Sequence, residues 1–412
     1  MVPPSSLISN EQVQTRSWIP TLIPNLPNDL ASLILAFVPY PHHSRLKSVS
    51  RSWKLFFSSR NLASVRENHL QESRKSHMIC IFPEDPSITS PYVFDPAHLA
   101  WCAIPPMPCN PHVYGLCNFK SICIGTHLYV LGGSLFDTRS FPLDRPCPTA
   151  ASFRFDFVRL EWERLSNMIT PRGSFACAAI GDKIVVAGGG SRHTMFGAAG
   201  SRMSSVEMYD VRKDEWVALD GLPRFRAGCV GFFVGSREDR EFWVMGGYGE
   251  SRTISGVFPV DEYYRNAVVM DLNGGKWREL GNMWEVGDRR PVGKIVVVEV
   301  EDWDVPGIFM LDRNDIFRYD MNANRWFKET SVPRKVTDHS AVGCVALNGE
   351  LHVITNLNSI DVAEGRRARN NKRSTALFLQ MYHPRTKSWR SLVTKPPHPF
   401  NLKNAVLCPV QF

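Results

Sequence analysis

The side chains in this sequence best equipped for chemistry are arginines. Arg139, Arg192, Arg202 and Arg252 lie in long polar segments, and Arg172, Arg226, Arg290 and Arg334 lie in a second set of connections between apolar runs, with Arg224 and Arg289 beside them. A guanidinium pairs with carboxylate or phosphate in a bidentate fork, so a ring of them would hold an acidic or phosphorylated peptide segment. The same groups also donate to loop carbonyls and to neighbouring carboxylates, which is their structural use. Phe136, Phe196, Tyr248 and Tyr263 fall in the same segments and would add contact area. No reactive constellation accompanies them. The ten cysteines are scattered without a CxxC pair, and the histidines occur singly with no HxH or HExxH spacing. Neither a zinc site nor an activated nucleophile is expected from that pattern. The stretch GGGSRHTMFGAAGS lacks the GK[ST] ending of a phosphate loop. Recognition without a cofactor or metal is the chemistry these residues support.

Such arginines need a rigid support, and a repeat supplies it. In VEMYDVRKDEW an alternating apolar run ends in Asp210, a polar turn follows, and Trp216 opens the next run. The same offset joins Asp95 to Trp101, Asp156 to Trp162, Asp271 to Trp277, Asp320 to Trp326 and, with a histidine, His383 to Trp389. A β-hairpin accounts for it: the carboxylate caps the backbone N–H groups of the turn, and the tryptophan starts the returning strand and packs on a neighbouring unit. Successive tryptophans are 61, 54, 61, 49 and 63 residues apart, the spacing of propeller blades lengthened by loops.

In the clearest unit SFACAAIG, KIVVAGGG, SSVEMYD and EWVAL read as four strands, a to d. The b strands of three units end in Gly132-Gly133, Gly188-Gly189 and Gly246-Gly247. The first unit, with MICIF, PYVFDP and AWCAI, lacks an a strand, while NAVLCPV stands alone at the far end. Residues 404–410 are therefore expected to complete the first blade, giving six. The a strands carry Cys123, Cys177, Cys229, Cys344 and Cys408, small apolar residues suited to crowding at a propeller axis. Because strands alternate in direction, a–b and c–d turns share one face and b–c and d–a loops the other. The arginines above all fall on the second, where the b–c connections are long.

Composition sets the frame. With 412 residues, 43% hydrophobic and 21% charged, the chain reads as a globular protein with a large core and a small extra domain. A net charge of +8 does not by itself make a nucleic-acid binder, and no binding module for nucleic acid accompanies it. No apolar run is long enough for a membrane span, and residues 1–21 read as a disordered tail rather than a secretory leader. Unpaired thiols fit a reducing compartment, cytoplasmic or nuclear. The basic run from Arg366 to Arg373 resembles a nuclear import patch, although a solvated loop on the last blade is the commoner explanation of such a run.

Residues 22–70 change period from strand to helix. Leu30, Leu33, Ile34 and Phe37 share one helical face, with Asn28 or Asp29 as cap and Pro39 and Pro41 as stop. Leu46, Val49 and Trp53 mark a second helix, and the run from Trp53 to Asn68 a third. Three short helices cannot bury so many large side chains alone, so a partner or close docking on the rest is implied.

Leu26-Pro27, Asp29-Leu30, Ile34-Leu35, Pro41, Arg45-Leu46-Lys47, Val49-Ser50-Arg51 and Trp53 together resemble the F-box, with a more proline-rich join at residues 39–43 than that family usually has. The aliphatic-Gly-Gly, hydrophobic-Asp and Trp pattern of residues 76–412 resembles the kelch repeat, although Leu311-Asp312 and Thr355-Asn356 replace the glycine pair in the last two units. The resemblance implies a mainly β protein: a six-bladed kelch β-propeller closed by a C-terminal strand and preceded by a small three-helix F-box. It implies a plant-type, non-catalytic substrate receptor of a ubiquitin ligase. Leu26, Pro27, Leu30, Ile34, Leu35, Leu46, Val49 and Trp53 would contact a Skp1-like adaptor and through it a cullin, and the propeller would bind a target protein. A scaffold without ubiquitin transfer, or a kelch-ring enzyme with a small-molecule site in the funnel, are the alternatives.

Overall fold

The computed structural model describes residues 21–69, 76–83, 89–108, 114–137, 147–190, 202–235, 240–254, 258–272, 275–283, 293–298, 306–337, 342–357, 376–399, 401–402 and 405–412. Residues 1–20 of the expected tail and the Arg366–Arg373 run lie outside them, as do Arg139, Arg192, Phe196, Arg289 and Arg290.

The N-terminal segment folds as α1 (Asn28–Ala36), a 3-10 turn (Tyr40–His42), α2 (His43–Leu46), α3 (Arg51–Phe57) and α4 (Arg60–His69). This divides the helices more finely than the apolar spacing does. Ser50 is extended and its hydroxyl accepts the Trp53 N–H at 3.1 Å, so the chain restarts a helix between Val49 and Trp53. Ser59 separates α3 from α4, its hydroxyl turning back to the Phe56 carbonyl at 2.8 Å. At the start of α1 neither expected cap is used. Pro27 occupies the N-cap position with no side-chain bond, and Asn28 Oδ1 instead accepts the Leu22 N–H at 3.0 Å. Asp29 in the first turn complements the helix dipole.

Among the described residues the rest of the chain forms six four-stranded antiparallel sheets. The first is built from Val406–Gln411, His77–Phe82, Tyr92–Asp95 and Ala100–Ala103, so the C-terminal strand supplies the missing a strand, with Cys408 opposite Cys80. Blades two to six follow in sequence, each strand pairing with the next in its blade. Two b–c connections carry strands of their own. Ser134–Asp137 and Cys147–Pro148 join Tyr114–Cys117 in a small sheet, and Tyr248–Ile254 pairs with Phe258–Tyr263.

The hairpin phrase is realised atom by atom. Asp210 Oδ1 accepts the N–H groups of Arg212 and Lys213 at 3.0 and 3.2 Å. Asp95, Asp156 and Asp320 do the same for the residues two and three positions on, and His383 Nδ1 accepts from Thr386. Four residues after the cap each turn turns left-handed, at Leu99, Leu160, Asp214, Gly275, Asn324 and Lys387, with φ between 51° and 66°. The tryptophan then lies against an aromatic of strand c, as Trp216 does on Tyr209 at 5.0 Å and Trp101 on Phe94 at 4.5 Å.

Five of the six indoles also donate to the preceding blade. Trp162 donates to Pro105 O, Trp216 to Ser166 O, Trp277 to Asp220 O and Trp389 to Thr330 Oγ1. Trp101 of the first blade donates to Thr394 of the sixth at 2.8 Å. Apolar clusters fill the same seams, and one of them joins Ile79 and Ile81 of the first blade to Val345, Ile354 and Leu379 of the sixth. Burial of aliphatic surface between sheets is the main stabilisation of this arrangement.

The helices are not a separate body. Leu35, Ala36, Tyr40, Phe56, Phe57 and Leu62 share one buried cluster with Cys80, Val93, Phe155, Phe157 and Val410 of blades one and two. Phe157 and Val158 lie in the c–d turn of blade two, and Phe412 at the a–b join of blade one. The helical module therefore sits on the short-turn face, opposite the long loops.

Candidate functional site

The helical module presents two kinds of apolar residue. On α1, Leu35 is 2% exposed and faces the propeller, while Leu30 and Ile34, one turn apart, are each 52% exposed. Phe37, Val49 and Leu55 are also exposed, as is Pro27. Of the eight residues read as adaptor contacts, Leu26, Leu46 and Trp53 are half-buried, with the Trp53 indole donating to Leu22 O at 2.7 Å. Leu35 is corrected to a core residue: a helix packed on a sheet buries one stripe, and Leu35 belongs to it. Leu55 and Phe37 were absent from that set, although their positions on helical faces carry the signal.

The long-loop face holds fewer free arginines than the sequence offers. Arg172 and Arg226, read as face residues, are in the interior, at 0% and 1% exposure. Arg172 Nη1 donates to Gly188 O and Ser205 O, both at 2.8 Å, and Nη2 pairs with Glu207. Its own carbonyl accepts the Gly133 N–H of the preceding blade at 2.8 Å. Arg226 repeats the arrangement one blade on, donating to Gly246 O and Asn266 O while its carbonyl accepts the Gly189 N–H. These two arginines are staples between blades. The glycine pairs are their counterpart, since a Cβ on Gly188 would meet Arg226 O at 2.1 Å, at a φ of +65°.

Among the other candidates, Arg334 is exposed, with its guanidinium 5.1 Å from the Phe378 ring. Its backbone N–H and carbonyl both bond the buried amide of Gln380. Arg202 is half-buried over the Tyr248 ring at 5.6 Å. The strand carrying Arg252 is placed, but its side chain lies outside the described residues, and Phe136 is buried.

Between blades three and four a recess of about 260 Å³ opens on this face, lined by Ser204, Pro223, Arg224, Phe225, Gly249 and Tyr264. Phe225 is 58% exposed, and Tyr264 donates its hydroxyl to Phe225 O at 3.2 Å while lying 4.3 Å from the Arg226 guanidinium. Arg224 Nη2 is 3.7 Å from Glu279. Phe225 and Tyr264 carry no periodic or motif signal in the sequence. They become neighbours only when blades three and four are assembled.

The cysteines of the inner strands are structural in character. Burial pushes the thiols of Cys177 and Cys344 up to about 12 and that of Cys123 to about 11, so they stay protonated at neutral pH. Among the described residues no cluster of His, Cys, Asp or Glu is arranged to hold a metal, and no helix is long and apolar enough to cross a membrane.

Comparison with known proteins bears on both ends of the chain. The F-box domain family matches residues 23–64 and the Kelch motif family residues 171–223, which span the Arg172 loop and the whole of blade three. The chain is similar to the F-box/kelch-repeat protein OR23 of Arabidopsis thaliana, 55% identical over 408 residues that cover 95% of this chain and 92% of that one. It is also similar to the F-box/kelch-repeat protein SKIP20 of Arabidopsis thaliana, 26% identical over 70% of this chain and 72% of the relative. The F-box protein AFR of the same plant is 27% identical over 67% and 68%. With helices, blades and sequence in agreement over nearly its whole length, the chain belongs to the F-box/kelch-repeat proteins.

Proposed function

We propose that this protein is the target-recognition subunit of a Skp1–cullin–F-box ubiquitin ligase, acting in the cytosol or nucleus. Its helical module docks a Skp1-like adaptor, the adaptor joins a cullin, and the long-loop face of the propeller holds a target protein. The chain supplies no bond-making group in this reading. It raises the effective concentration of the target beside the transferring enzyme.

The observation that carries the proposal is the division of α1. One stripe is already spent on the propeller through Leu35 and Ala36, yet Leu30 and Ile34 remain exposed beside Pro27 and Phe37. Large aliphatic side chains left in water after a module has docked favour a second partner. Their position on the short-turn face leaves the opposite face open for a target.

The test is co-expression of the full chain with a Skp1-type adaptor, with a Leu30→Glu, Ile34→Glu variant in parallel. Wild type is expected to co-purify with the adaptor and the variant to emerge alone but folded. Failure of folded wild type to capture the adaptor would overturn the proposal. Capture of adaptor without cullin would instead make the protein an F-box scaffold that does not transfer ubiquitin.

A further inference from the structure

The two buried arginines differ in one respect. In blade three the Arg172 guanidinium meets the Glu207 carboxylate, and the pair is closed off from water. Glu207 is the second residue of strand c, Val206–Asp210. In blade four strand c is Ala267–Asp271, and Val268 stands at the position of Glu207. Arg226 is thus left with neutral acceptors, the carbonyls of Gly246 and Asn266 and the Asn266 Oδ1 at 2.9 Å. Nε has no hydrogen-bond partner in either arginine, so the carboxylate is what separates them.

A buried cation without a carboxylate in contact is costly, and it projects a positive field through low-dielectric surroundings. The carboxylate of Glu279 lies one step away: it accepts from the Asn266 amide and also stands 3.7 Å from Arg224. Among the described residues one carboxylate therefore serves two guanidinium groups. The surplus charge lies where the recess is, since the ring of Tyr264, a lining residue, covers the Arg226 guanidinium at 4.3 Å. Arg224 stands at the rim, more than half exposed, and Phe225 beside it offers a large apolar surface.

We propose that this recess between blades three and four is an anion subsite for the target protein, taking an acidic side chain of an extended peptide segment with an apolar neighbour set against Phe225. Arg224 contacts the anion directly. Arg226 acts through the Tyr264 ring as a fixed buried charge and needs no movement on binding. The inference rests on the reading of the long-loop face as the target face and narrows it to one place and one chemistry. An Asp or Glu carboxylate and a phosphorylated side chain share that chemistry.

The experiment uses the full chain, immobilised without adaptor, to select from a random dodecapeptide phage library. Recovered peptides are expected to be enriched in Asp or Glu next to an aliphatic or aromatic residue. Synthetic versions, titrated by fluorescence polarisation, are expected to bind at least tenfold more weakly to Arg224→Glu and to Phe225→Ala, both exposed positions. Gln in place of the recovered acid is expected to cost as much. A phosphoserine version compared with the carboxylate version assigns the anion to its source. Selected peptides without acidic enrichment would overturn the proposal, and so would acidic peptides that bind both variants as tightly as wild type. Adaptor capture by the same variants separates the two readings: it reports only on the helical module, and peptide selection only on the recess.

Discussion

Arg66 Nη1 donates to the main-chain oxygen of Phe412 at 2.8 Å, a bond between residues 346 positions apart in sequence. The same guanidinium donates from Nε to Ala36 O and from Nη2 to Val38 O, and it lies 4.9 Å from the Phe412 ring. It closes the C-terminal end of α1, where carbonyls are left without helical partners, and fastens that end to the strand completing the first blade. Tyr40 and Phe157 pack on the Phe412 ring at 5.0 and 6.3 Å. Module and propeller are held together by the same few side chains.

Arg66→Met should therefore loosen the module. Three carbonyls, two of them buried, lose a charged donor, at a cost of about 3 kcal/mol. Hydrogen exchange in Asn28–Ala36 should quicken by about a hundredfold while blades three to six keep wild-type protection. Unchanged exchange in α1 would show that the apolar contacts alone secure it.

The two sides of α1 should respond differently to truncation. Leu35→Ala removes a side chain from the shared core and should cost about 2–5 kcal/mol. Leu30→Ala, at an exposed position, should change stability by less than about 0.5 kcal/mol and weaken adaptor capture. Thermal melts and co-purification of both variants check the contrast.

Stability should fall with acid through His43. Burial, with the Arg66 charge next, lowers its imidazole from 6.5 to about 3, and its Nε2 lies 2.8 Å from Val38 O. The unfolded chain binds a proton below about pH 6.5 that the folded chain refuses until about pH 3. The contribution is complete above pH 6.5 and drains away as pH falls through that window, by up to about 1.4 kcal/mol per pH unit. His43→Gln, which keeps a donor and does not titrate, should flatten the profile of melting temperature against pH between 6 and 4. A profile identical to wild type would remove His43 as the source.

Gly188→Ala and Gly125→Ala form a matched pair, both at positive φ, +65° and +54°. The first places a methyl 2.1 Å from Arg226 O, whereas nothing lies within 4 Å of the second. Gly125→Ala should cost only the backbone term, about 1–2 kcal/mol. Gly188→Ala should cost well over about 3 kcal/mol or prevent accumulation of folded protein. Equal melting temperatures for the two variants would contradict the interblade contact.

The local code of the propeller was legible because it is short-range. An Asp that caps its own turn and a Trp six places on act within one hairpin, so each repeat carries its own instruction. The glycine pairs were visible for the same reason, although what they admit, the Arg172 and Arg226 carbonyls, was not. The fine division of the helices escaped the apolar spacing because Ser50 and Ser59 act through hydroxyl bonds that hydrophobic periodicity does not register.

The sequence by itself determined the kinds of element, their repeat and the family pattern, since these follow from backbone preferences and from contacts between near neighbours. Only the tertiary structure decided which arginines are staples and which face solvent, and which side of α1 is consumed by the propeller. It alone set Tyr264 and Phe225 beside one another above a buried charge. Burial and electrostatic environment are properties of surfaces brought together from distant parts of the chain, and no local pattern encodes the neighbour that a residue will meet.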